Sequence, residues 1–99
     1  MQNERSSLFY AANFDPEVNR LFKSVQTGDV QRINMFKKVT LQTVENLLQD
    51  RNLSRGGWAE WVQVKDMVSN FENLDPGDQK FLCNYGAPFS YLFAKTSNL

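Results

Sequence analysis

The residues able to do chemistry in this chain are few, and most occupy positions that local structure already claims. Asp75 and Asp78 flank Pro76-Gly77. Two carboxylates are fewer than a calcium loop uses, and an Asp directly before a Pro is the start signal of a helix, so capping is the expected role of Asp75. Cys83 is the single cysteine and lies between Leu82 and Asn84, with Lys80 one turn earlier as its nearest cation. A thiol so placed is expected to be half-buried and inert. Gly56-Gly57 before Trp58 is a glycine pair without the further glycines of a phosphate-cradling loop, and is expected to be a turn. Histidine is absent altogether. Its absence excludes Ser-His and Cys-His nucleophiles and every Cys/His metal constellation, so neither a metal nor any other cofactor is expected, and the chain reads as non-enzymatic.

Binding chemistry is the alternative to catalysis. Arg20, Lys23, Arg32, Lys37, Lys38, Arg51 and Arg55 are interleaved with aromatic residues, but eleven basic residues balance eleven acidic ones, so no overall field steers the chain to nucleic acid. On helical geometry Arg20 and Lys23 share an outer face, whereas Arg32, Lys37 and Lys38 spread around theirs. The nucleic-acid reading therefore rests on a corner gathered from Lys37, Lys38, Arg51 and Arg55, and is kept as the second choice.

Aromatic content is the stronger departure from average, at 13% of the chain. Phe81, Leu82, Tyr85, Phe89, Leu92 and Phe93 fit the inward faces of two short helices, with Tyr91, and after it Phe89, as the exposed members. Trp58 and Val62 stand off the main apolar arc of their helix. A surplus of large aromatics over what a small core needs marks Trp58, Val62, Tyr85, Tyr91 and Tyr10 as anchors for another protein or for a second copy of this chain. The expected function is a small helical interaction domain of the adaptor, inhibitor or assembly-subunit kind, with a homo-oligomeric structural protein as a further alternative.

The elements that position these residues follow from punctuation and period. Asp15-Pro16-Glu17 reads as a helix start, followed by Val18, Leu21, Phe22 and Val25 at helical spacing and stopped by Gly28. Asp29 caps a second helix, Val30 to Val39, and Thr40 a third whose Leu41, Val44, Leu47 and Leu48 share one arc. Trp58 to Asn73 reads as the longest helix. Asp75-Pro76 opens another that Gly86 ends, and Pro88 begins the last. Leu8 to Phe14 is ambiguous between a short helix and a strand fragment. The stretch Leu21 to Val30 is similar to the first helix of an ankyrin repeat, but no second unit follows at the family's period of about 33 residues, so nothing is carried across.

With 99 residues, 41% of them hydrophobic, the expectation is an all-α, compact single domain of five or six short helices, orthogonal or bundle-like. Residues 8–95 are expected to form it, with flexible ends at 1–7 and 96–99. A lone cysteine and the lack of a signal peptide or membrane-length apolar run point to the cytoplasm and to no membrane partner.

Overall fold

In the computed structural model, which describes residues 6–97, the chain begins its regular structure at once. Ser6 is extended and its Oγ accepts the Phe9 N–H at 3.3 Å, capping α1, Ser7–Thr27. The Ser7 N–H is met by Asp50 Oδ2 at 2.7 Å, so a carboxylate distant in sequence anchors this helix start. The helix ends in a Schellman arrangement: Gly28 adopts φ 71°, its N–H reaches the Val25 carbonyl at 3.1 Å, and the Asp29 N–H reaches Ser24 at 3.2 Å. Asp29 Oδ1 accepts the Arg32 N–H at 3.1 Å and opens α2, Val30–Leu48. A two-residue turn between long helices in extensive contact makes an antiparallel α-hairpin, the largest helix pair of the molecule.

Beyond it lie α3, Arg55–Ser69, a single 3₁₀ turn over Phe71–Asn73, α4, Pro76–Tyr85, and α5, Ala87–Ser97. Ser54 Oγ and Asp75 Oδ1 cap α3 and α4 by accepting the Gly57 and Asp78 N–H groups at 3.0 and 2.9 Å. Strands are absent among the described residues, and the all-α single domain expected from the sequence is what forms. Its radius of gyration, 13.5 Å, is close to the roughly 13 Å of a compact chain this long.

Several boundaries differ from the sequence reading. Asp15-Pro16 does not start a helix, because Leu8 to Phe14 is the helical first half of α1 and Pro16 lies inside it. Burial carries the helix through: Ala11, Phe14, Val18 and Leu21 line one buried face across the proline. Thr40 caps nothing. It is fully buried in mid-α2 with its hydroxyl donated to the Phe36 carbonyl at 2.6 Å, so the two expected helices are one. Helix α3 starts at Arg55, ahead of Trp58, with Gly56-Gly57 in its first turn, and gives way to the 3₁₀ turn before Asn73. Of the expected flexible ends, 1–5 and 98–99 lie outside the described residues, while Ser7, Thr96 and Ser97 are helical.

The core gathers Phe14, Val18 and Leu21 of α1, Val44 and Leu47 of α2, Trp61, Val64 and Val68 of α3, Phe71 and Leu82. Helix α1 touches α2, α4 and α5, and α2 also packs on α3. At the α4–α5 junction Gly86 lies so close to α1 that a Cβ there would stand 2.9 Å from Asp15 Cα. A hydrogen bond at the same contact joins Asn19 Nδ2 to the Cys83 carbonyl at 3.0 Å.

Candidate functional site

Trp61 organises the aromatic end of the molecule. Its ring meets Phe14 and Tyr85 edge-on with centroids 5.3 and 5.1 Å apart, and Phe89 at 5.8 Å in a tilted contact. The Tyr85 hydroxyl donates to Glu60 Oε1, linking α4 to α3. Burial, and then the Glu60 carboxylate, push the phenol well above its ordinary value, so Tyr85 is a neutral donor here.

Two shallow grooves flank this cluster. One, of about 310 Å³, is lined by Leu8, Ala11, Leu53, Gly57, Trp61 and Leu92 among others, and the second, of about 430 Å³, by Phe81, Asn84, Tyr85 and Pro88. Phe89 lines both and so joins them into one apolar face across α3, α4 and α5. Phe81 and Leu92 contribute the exposed rims, at 54% and 50% exposure.

The anchors named from sequence fall in three settings. Trp58 and Tyr91 are exposed, at 51% and 65%, and Lys95 Nζ sits 5.5 Å from the Tyr91 ring centroid. Val62 is half-buried on α3. Tyr85 and Tyr10 are half-buried too, Tyr85 in the Trp61 cluster and Tyr10 against the core with Phe9 edge-on at 5.2 Å. Phe81 and Leu92, expected inside, are outside. Neighbouring residues on a helix diverge by about 100°, and α4 turns Gln79 and Leu82 inward, where Gln79 Nε2 donates to the Phe71 carbonyl at 2.9 Å, leaving Phe81 on the opposite side. On α5, Phe89 and Phe93 take the inner positions and Leu92 the edge; Phe89, expected after Tyr91 as an exposed residue, is half-buried.

The basic corner does not form around Lys37. Its Nζ is 2.7 Å from Glu72 Oε2, and it stands eleven residues, about 16 Å of helix, before the end of α2, whereas Arg51 follows that end and Arg55 opens α3. Lys38, Arg51 and Arg55 are exposed. Arg20, Lys23 and Arg32 are the cations that come together, lining a cleft of about 340 Å³ with Ser24, Thr27 and Phe36. Sequence reasoning placed Arg32 on a separate helix. The signal that finds the cleft is the Gly28-Asp29 turn, since a hairpin folded there brings residues equidistant from it side by side.

Asp75 caps α4, as expected, and among the described residues no three His, Cys, Asp or Glu side chains group as a metal site would require. Burial, and then Asp15, push the Cys83 thiol up, which keeps it protonated and unreactive. No described helix is long and apolar enough to cross a membrane.

No family model, curated protein or solved structure matches the chain. The functional reading therefore stands on the geometry alone.

Proposed function

We propose that the chain is a non-enzymatic helical interaction domain that binds another protein through the face joined by Phe89. One observation carries this reading: two apolar grooves share a single lining residue and are edged by Phe81 and Leu92, both at least half exposed. Large apolar side chains at the margin of a concave surface cost little to desolvate and give a partner side chains to close over. Trp58 and Tyr91 extend the exposed aromatic area from α3 and α5. A net charge of zero supplies little repulsion against association, so a second copy of the chain competes with a foreign protein for this face.

The test compares the wild type with Phe81→Ser/Leu92→Ser and with Met35→Ser/Val39→Ser, a control pair one turn apart on α2 and also exposed. A stoichiometric partner that survives nuclease treatment, is lost with the first variant and is kept with the second supports the proposal. A dimer by light scattering that dissociates only in the first variant makes the partner a second copy. Binding unchanged by Phe81→Ser/Leu92→Ser would falsify it. Trp58→Ala should weaken capture with a stability loss under about 1 kcal/mol; a loss above about 3 kcal/mol would make Trp58 a core residue and remove it from the surface.

A further inference from the structure

The cleft at the turn end of the α1–α2 hairpin shares no lining residue with the two grooves of the aromatic face. Its lining holds three cations, Arg20, Lys23 and Arg32, and no carboxylate. Two acids offset part of this charge. Asp29 Oδ2 is 3.6 Å from Arg32 Nε in an exposed pair, and Glu17, one turn before Arg20, is a half-buried carboxylate that feels the Arg20 charge, which leaves three cations against two acids. Lys23 has no ion-pair partner among the described residues. The C-terminus of α1 and the N-terminus of α2 meet here with opposed dipole ends, so the side-chain cations set the sign of the potential.

The rest of the lining selects among anions. Ser24 and Thr27 spend their hydroxyl protons on the Arg20 and Ser24 carbonyls, at 2.9 and 3.1 Å, so they add no donor for an anion. Recognition of charge is left to the two guanidinium groups and the ammonium, which suit the oxygens of a phosphate. Between these heads the lining is mostly carbon, made by side-chain stems and the half-buried Phe36 ring, which packs against the core and shows only part of itself to the cleft. A volume of about 340 Å³ lies within the range of small-ligand sites, roughly 300–1,000 Å³, and exceeds what a bare phosphate fills. We infer that this cleft binds a nucleotide, its phosphate held by Arg20, Lys23 and Arg32 and its base stacked against Phe36. Free nucleotide and a residue of single-stranded nucleic acid present the same chemistry, and an aromatic platform beside cations is how proteins hold either.

The experiment is an amide chemical-shift titration of the full chain at low salt with adenosine monophosphate, an oligothymidylate and inorganic phosphate in parallel. Shifts confined to the residues around Gly28 and Phe36, saturating with the mononucleotide or only with the strand, uphold the site and name the source. Lys23→Gln and Arg32→Gln should each weaken binding about tenfold and lower its salt dependence, while Lys38→Gln leaves it unchanged. Phe36→Leu should weaken the nucleotide and not phosphate. If that variant fails to fold, preference for adenosine monophosphate over inorganic phosphate in the wild type tests the same point. No localised shift, equal affinity for phosphate and nucleotide, or equal displacement by polyglutamate would each overturn the inference.

Discussion

At the residue scale, two carboxylates make stability depend on pH in opposite directions. Glu17 Oε1 is buried without a hydrogen-bond partner, and desolvation raises its carboxyl above the ordinary value, offset in part by Thr43 and Arg20. Between the unfolded and the raised folded value the native state holds the extra proton, so this group makes stability fall as pH rises above 4.5. Glu17→Gln should flatten that decline in denaturant titrations; an unchanged pH profile would show that the carboxyl is solvated. Asp50 works in the opposite direction. Hydrogen bonds from the Asn52 and Ser7 N–H groups hold it below its ordinary 3.8, so its contribution is present above that pH and is lost as pH falls through the lowered value. Gly86 is a steric case. The Asp15 backbone 2.9 Å from its missing Cβ leaves no flexible group to yield, and Gly86→Ala should cost about 1–3 kcal/mol despite alanine's better helix propensity. A neutral or stabilising Gly86→Ala would mean that α1 and the α4–α5 junction are not in close contact.

At the scale of elements, α1 contains a contradiction between local and tertiary preference. Pro16 removes the N–H that would bond the Ala12 carbonyl and clashes with it, at a cost of about 3 kcal/mol in a helix interior. The buried run on either side offsets that cost. Since the Pro16 side chain is itself exposed, Pro16→Ala should stabilise the protein, by up to about 3 kcal/mol in chemical denaturation. Destabilisation instead would show that the proline shapes the contact with Gly86. The same contradiction explains the misread boundary. Asp-Pro-Glu is a strong local start signal, and it is overruled because Ala11 and Phe14 have a core to enter ahead of it. Thr40 is parallel: a Thr before an apolar arc looks like a cap, yet its hydroxyl finds an acceptor one turn back and the helix runs on. By contrast Ser54, Asp29 and Asp75 are real caps, and all three precede segments whose start is solvent-exposed.

At the scale of the whole molecule, Trp61 and Trp58 separate the two roles of an aromatic residue. Trp61 is 4% exposed and touches three other rings from α1, α4 and α5, so Trp61→Ala should cost about 3–5 kcal/mol and loosen all four helices together. A much smaller loss would mean that the aromatic cluster does not hold α4 and α5 in place. A spacing of three residues, less than one turn, cannot by itself distinguish the roles of two tryptophans on one helix, but the depth of their neighbours does. The composition and punctuation determined that this chain is all-helical, that it lacks histidine-based chemistry, and where most of its turns fall, because those properties act over a few residues. Tertiary structure alone decided that α1 and α2 run unbroken, that Phe81 and Leu92 face out although both fit an inward arc, and that Arg32 joins Arg20 and Lys23 rather than Lys37. Each of those outcomes depends on which surfaces bury one another, and burial is settled by helices far apart in the chain.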